Sequence, residues 1–307
     1  MKKILDKILE KNLDLTNKGN LANYIPALNK VENKNDLGLS IIDGDGNLIS
    51  SGDYKKTFTI QSISKILTLM LAIKDQGIDK VFSKVGYEGT DDPFNSFIKL
   101  DLGEANKPAN PMINSGALVT TSLIKGQGDE SFNRILEFIR EITKNPCLTY
   151  NEEIYLSELE TNDRNRAIAH LLKSKSLIDG NLEDLIQVYC KQCSIEVNTV
   201  DLAYIGLYIS SGCGNLLDNK VDNERLTRII KGILLGCGMY DYSTEYSIKV
   251  GIPSKSGVGG GIMGVLPNRA GIGVYGPSLD SHGNSVAGVG LLEDLSKEFG
   301  YNIFNSN

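Results

Sequence analysis

The sequence is poor in residues that hold metals or disulfides. It has two histidines, His170 and His282, and five cysteines, Cys147, Cys190, Cys193, Cys213 and Cys237. An odd cysteine count in a long chain without a visible secretion signal predicts reduced thiols. Cys190 and Cys193 form a C-x-x-C, but a second pair is lacking and only two imidazoles could complete a zinc site. The pair falls in Leu185–Val197, which reads as a mostly apolar helix, so two buried thiols are expected. No metal or other cofactor is expected. Basic runs are also missing, and the net charge is −6, which argues against nucleic acid and anionic membranes as partners. The most apolar stretch, Ile66–Ile73, is too short to span a bilayer. Asp6, Glu10 and Lys11 interrupt any apolar segment behind Met1-Lys2-Lys3, so no signal peptide is read and the cytoplasm is the expected location. There is no internal repeat, low-complexity tract or Pro/Gly/Ser linker.

What is present suits a folded chain with a sizeable core: 307 residues, 41% apolar and 23% charged. Residues 1–13 read as an amphipathic helix with Ile4, Ile8 and Leu9 on one face. Leu37–Ile42 and Asn47–Ser51 read as strands joined by Asp43-Gly44-Asp45-Gly46, a hairpin signal. The same Asp-x-Asp-x-Asn opening imitates a calcium loop, but Leu48 and Tyr54 stand where Gly and Glu are needed. Ser62–Gly77 reads as a helix. Helical patterns follow at Ser131–Thr143, Arg164–Lys173, Leu182–Cys193 and Asn223–Leu235. Strand patterns return at Ser247–Ile252, Gly259–Leu266 and Gly271–Val274, and a helix closes the chain over Ser285–Phe299. The order predicts an α+β fold: an antiparallel sheet built from about 1–60 and 245–307, flanked by helices, with a helical lobe over about 80–240, the whole 1–307 forming one catalytic unit.

Two elements carry chemistry. Ser62-Ile63-Ser64-Lys65 is an S-x-x-K. At i and i+3 of a helix, the serine and lysine share a face. A lysine whose pKa has been lowered by burial can take the serine proton, and a helix start aims N–H groups at developing negative charge. By itself the tetrapeptide also describes a capping serine and a solvated lysine. The apolar run behind it, Ile66–Ile73, predicts a buried helix and so a buried Lys65. The second element is Lys255-Ser256-Gly257 at the mouth of a Gly-rich strand. Enzymes with an S-x-x-K nucleophile carry K-[ST]-G facing it, and here the Val258 N–H would enter the oxyanion hole. Gly259–Gly264 fits G-x-G-x-x-G, but inside a strand, where a dinucleotide site is not expected.

At this point the sequence resembles the bacterial and kidney-type glutaminase family, whose catalytic domain has a serine β-lactamase/penicillin-binding-protein-like fold. The landmarks run in order over nearly the whole chain. They are Tyr24-Ile25-Pro26, Gln61–Lys65, Asn110-Pro111-Met112-Ile113-Asn114-Ser115-Gly116-Ala117, Asp163-Arg164-Asn165, Cys193-Ser194-Ile195-Glu196-Val197, Gly238-Met239-Tyr240-Asp241 and Lys255–Val258. Without ankyrin repeats or a long amino-terminal extension, the chain is similar to the short bacterial form. The resemblance implies hydrolysis of L-glutamine to L-glutamate and ammonia, with Ser62 as nucleophile and Lys65 as its activator. Asn114, Glu158, Asn165, Tyr189, Tyr240 and the Val258 backbone would contact substrate, with Tyr24 as a further pocket residue. Tyr24 or Tyr240 would share the proton traffic, and a homodimer or homotetramer is implied. The inventory suits a free amino acid, because an ammonium needs a carboxylate and an amide needs neutral donors. Singly, each residue also has an ordinary structural role. Two rivals stay open: an enzyme acting on β-lactams or peptidoglycan, although no S-D-N triplet is seen, and a non-catalytic glutamine sensor.

Overall fold

A computed structural model describes residues 1–23, 25–30, 33–90, 96, 98–102 and 106–305. The chain opens with α1 (Lys2–Asn12), then a hairpin of β1 (Gly38–Asp43) and β2 (Leu48–Gly52), then a short β3 (Phe58–Thr59). Helix α2 (Ser64–Gln76) follows, with α3 (Ile78–Lys84), α4 (Ile98–Asp101), α5 (Asn114–Ser122), α6 (Asp129–Thr143), α7 (Glu152–Glu160), α8 (Asp163–Ser174) and α9 (Leu182–Cys193). The two-residue β4 (Glu196–Val197) pairs with β3. Helices α10 (Thr199–Ser210), α11 (Lys220–Cys237) and α12 (Ser243–Lys249) lead to β5 (Ser254–Ser256), β6 (Gly261–Leu266), β7 (Ala270–Tyr275) and the closing α13 (Val286–Phe299).

Five strands form one antiparallel sheet in the order β2-β1-β7-β6-β5. The hairpin from the start of the chain therefore pairs with strands from its end, Gly38 opposite Tyr275 and Asp43 opposite Ala270. One sheet face is covered by α1, α12 and α13 through Leu5, Tyr246, Leu291 and Leu295. The other faces the larger core, to which α2, α6, α10 and α11 contribute. A third cluster joins α5, α7, α8 and α9. Helix α2 is central as its composition demands: every residue from Ser64 to Ile73 is buried. Among the described residues, no helix is long and apolar enough to cross a membrane.

Three expectations need correction. Ser247–Ile252 is not a strand. Its apparent alternation belongs to α12 and the turn after it, where Tyr246 and Val250, four apart, are buried and Ile248 is 72% exposed. The helix through Cys190 stops at Cys193, because Glu196 and Val197 leave it to pair with β3. Helix α2 begins at Ser64, and Ser62 lies in the 3₁₀ turn Gln61–Ile63 before it.

Helix α10 lies against β6 and β7 at backbone distance. A Cβ on Gly271 would stand 2.0 Å from the Ala203 carbonyl oxygen and 2.1 Å from the Leu207 nitrogen, so only glycine fits. Gly271→Ala should therefore lower unfolding free energy by about 3 kcal/mol or more, the scale of overpacking. Gly232→Ala, where a Cβ meets nothing within 4 Å on α11, should add about 0.5–1 kcal/mol. Urea titration of both variants checks the pair.

Candidate active site

The site is assembled from chain turns and helix ends that the fold brings together. Lys65 sits in the first turn of α2 with 0% exposure. Its Nζ donates to the Met112 carbonyl at 3.0 Å and to Asn114 Oδ1 at 2.7 Å. Burial pulls its pKa down to about 8. Both acceptors come from the Asn110–Ala117 block, whose turn is held by Asn110: its Oδ1 accepts from the N–H groups of Met112 (2.9 Å) and Ile113 (3.2 Å). Asn114 opens α5, and its Nδ2 donates to Asn165 Oδ1 on α8 at 3.0 Å. The Tyr189 hydroxyl, from α9, donates to Asn114 Oδ1 at 3.2 Å.

Ser62 is half-buried between Gln61, at φ +48°, and Ile63. The Tyr240 hydroxyl, whose acidity Ser62 influences, donates to the Ser256 carbonyl at 3.4 Å. Tyr240 itself sits at φ +57° in the turn after α11, a conformation few bulky residues adopt. Burial pushes the phenol up to about 12, so it stays a proton donor throughout the neutral range.

The Lys255-Ser256-Gly257 element is β5 and the turn beyond it. A Cβ on Gly257 would be 2.7 Å from the Ile60 carbonyl oxygen, so glycine lets this edge lie against the turn that carries Ser62. Val258 follows at 6% exposure, and its N–H donates to no backbone carbonyl among the described residues. Lys255 is fully buried, donates to the carbonyls of Gly238 (3.0 Å) and Ser256 (2.6 Å), and lies 4.4 Å from the Tyr240 ring centroid. Burial, and then the charge of Lys65, drive its pKa well down. The motif points to Lys255, but its contact with Tyr240 needs the three-dimensional fold.

Glu158 projects from α7 and is buried, which raises its pKa to about 8. Side-chain hydrogen bonds from Gln61 and Cys193 and the nearby Lys65 oppose that shift. Its Oε2 has no hydrogen-bond partner among the described residues. Cys190 and Cys193 are free and buried on α9, and burial pushes both thiols up. Cys193 is thus part of the wall beside Glu158, a position its apolar helix did not signal. Tyr24 lies outside the described residues. Lys65, Asn114, Asn165 and Tyr189 form one hydrogen-bonded group, Tyr240 is bonded to the Ser256 carbonyl, and Glu158 acts on Lys65 through its charge. No group of three or more His, Cys, Asp or Glu among the described residues is placed to hold a metal.

Comparison with known proteins gives this constellation a context. The profile of the family Glutaminase matches residues 19–304. "Glutaminase 2" of Clostridium perfringens is 51% identical over 306 residues, covering 99% of this chain and all of that protein. A glutaminase of Fusobacterium nucleatum is 50% identical over 307 residues, 99% of this chain and all of the other. Among solved structures, a probable glutaminase of Bacillus subtilis superposes with a TM-score of 0.89 at 34% identity, covering 99% of this chain and 97% of that one. A probable glutaminase of the same organism complexed with 6-diazo-5-oxo-L-norleucine gives 0.85 at 35% identity, again over 99% and 97%. These neighbours share the β-lactamase-like fold.

Glu158 yields a stability prediction. Its folded pKa, about 8, is above the unfolded value of 4.5, so the native state holds the proton more tightly. The Glu158 contribution to stability is therefore lost as pH rises from about 4.5 to about 8 and is level beyond. Glu158→Gln removes that dependence. The variant should gain on the wild type by a few kcal/mol between pH 5 and pH 9, at about 1.4 kcal/mol per pH unit. Urea unfolding at both pH values measures the gain, and equal stability differences would contradict a buried, poorly ionised Glu158.

Proposed function

Because the chain belongs to the glutaminase family, we propose that it hydrolyses the side-chain amide of L-glutamine to L-glutamate and ammonia through a γ-glutamyl ester on Ser62. One observation carries the serine mechanism. Lys65 is a buried amine with two donated hydrogen bonds, and Ser62 stands three residues before it in the turn that opens α2. In neutral Lys65 both N–H bonds are engaged by Met112 and Asn114, and the lone pair is left for the Ser62 hydroxyl. Ser62 Oγ attacks the γ-carbonyl carbon as its proton passes to Lys65. The oxyanion is stabilised by the Val258 N–H. The C–N bond then breaks, and the departing nitrogen takes a proton from Lys65 or by way of Tyr240. Lys65, neutral again, takes a proton from water as the water attacks the ester carbonyl, and returns it to Ser62 Oγ as the Ser62–acyl bond breaks and glutamate leaves.

Glu158 supports recognition of a free amino acid. Its unpaired oxygen suits the α-ammonium, whose desolvation a facing carboxylate offsets. Asn114, Asn165, Tyr189 and Tyr240 offer neutral polar groups to the rest of the molecule, and Tyr24 is proposed as a further pocket residue. We read residues 1–307 as one catalytic unit acting in the cytoplasm. Assembly as a homodimer or homotetramer fits large apolar side chains left exposed, among them Val221 (69%) and Ile248 (72%). Sedimentation velocity tests that point, and a monomer at micromolar concentration would reject it.

The diazo-ketone analogue of glutamine should leave its adduct on the peptide containing Gln61–Lys65. An adduct on a cysteine would reject the serine mechanism. The pH profile follows from two groups that titrate near 8. Lys65 must lose its proton to act as base, and Glu158 must lose its own to meet an ammonium. Below pH 8, kcat/KM should therefore fall about 10- to 100-fold per unit, the slope of one to two groups titrating as a coupled pair. Lys65→Ala should lose roughly 10²–10⁴ in kcat, the worth of general-base help. A profile flat from pH 6 to 8, or a Lys65→Ala enzyme keeping a tenth of the rate, would remove Lys65 from this role.

A further inference from the structure

The amide run that begins at Lys65 does not end at Asn165. Asn165 Nδ2 donates to Asn162 Oδ1 at 2.6 Å, and Asn162 Nδ2 meets Cys190 Sγ at 2.8 Å. Three amides are thus stacked head to tail. Lys65 and Tyr189 both donate to Asn114 Oδ1, so Asn114 turns its Nδ2 to Asn165 Oδ1, and Asn165 turns its Nδ2 to Asn162 Oδ1. An amide has one accepting end and one donating end. Reversing any member would set donor against donor or acceptor against acceptor. Asn114, Asn165 and Asn162 are 8%, 7% and 6% exposed, and Cys190 is 0% exposed, which leaves little water to repair such a mismatch.

Asn162 has an unused alternative. It occupies the position before α8, where an asparagine ordinarily caps the helix, yet its side chain makes no cap bond. It points into the amide run instead. We infer that Asn162, anchored on the Cys190 sulfur, is a positioning residue that fixes the polarity of Asn165 and Asn114, and so keeps an acceptor rather than a donor facing the Lys65 amine. With Asn114 reversed, its NH₂ would cap the lone pair that the reaction needs. The inference rests on Lys65 as base. Lys65 is also faced by Glu158, Cys193 and Lys255, none of which touches Asn162 in the hydrogen bonds described.

Two variants and two readouts test it. Asn162→Leu keeps the shape but accepts nothing from Asn165, whereas Asn162→Asp still accepts. In protein labelled with nitrogen-15 at asparagine, the Asn114 and Asn165 side-chain NH₂ signals should exchange slowly in the wild type and in N162D. They should shift and exchange at least about tenfold faster in N162L. This readout does not depend on which group is the base. Unchanged signals in N162L overturn the inference, as does wild-type exchange as fast as that of exposed asparagines, which needs no variant to fold. In glutamine turnover, N162L should lose about 10- to 100-fold in kcat, the scale for a misplaced group, with N162D within about threefold of the wild type. The acid limb should move to lower pH in N162L, since a donor facing Lys65 disfavours its ammonium. Equal losses in both variants, or no loss in N162L, overturn the inference while leaving the serine mechanism standing.

Discussion

Lys65 holds its amine at zero exposure, and a charge so placed loses hydration that only fixed dipoles can replace. Much of the site answers that one need. The Met112 carbonyl and Asn114 Oδ1 are aimed at Nζ by the Asn110 turn, Asn165 holds Asn114, and Glu158 opposes the desolvation from α7. The dipoles are numerous enough to keep the amine hydrogen-bonded and too few to keep it fully protonated at neutral pH. A fully solvated lysine would stay charged and would be no base, and an unpartnered one would be displaced from the core. The useful condition lies between these limits and is set by how completely α2 is enclosed.

The enclosure in turn depends on the frame. Helix α2 is buried on all sides, packed against α3, α5 and α6 and sharing the larger core with α10 and the sheet. The sheet can approach so closely because small residues line β6 and β7 where α10 crosses. Lys255 repeats the theme on the opposite wall: a second buried amine, kept by two carbonyls, with the Tyr240 ring beside it. Two lysines and one glutamate without solvent are a burden on folding that a well-packed core offsets.

Much of this was legible in the sequence. The hairpin, the apolar α2, the Gly-rich end strands and the α+β order could be read from periodicity and turn chemistry, and S-x-x-K with K-S-G marked two lysines that the fold buries completely. The failures have physical reasons. Ser247–Ile252 looked alternating because Ile248 and Val250 are two apart, although only Val250 is buried. The 3₁₀ turn at Ser62 depends on Gln61 adopting positive φ, for which no glycine gave notice. Helices α7 and α10 went unassigned, the first short and mixed, the second apolar on nearly every side. Asn162 and Cys190 were illegible as partners, because a hydrogen bond between residues 28 apart on different helices leaves no local pattern. Tyr24 was read from its motif and lies outside the described residues.

The pairing of β1 with β7 also governs how the protein is made. Asp43 finds its sheet partner in Ala270, about 230 residues further along. At the roughly 5–20 residues per second of synthesis, the first hairpin waits on the order of 10 to 50 seconds with one edge open. An open edge is a template for other chains, so this interval on the ribosome is when a holdase has most to protect. Lys255 and Val258 emerge just ahead of that closing strand, and the nascent chain therefore has no working cleft until almost all of it has been translated.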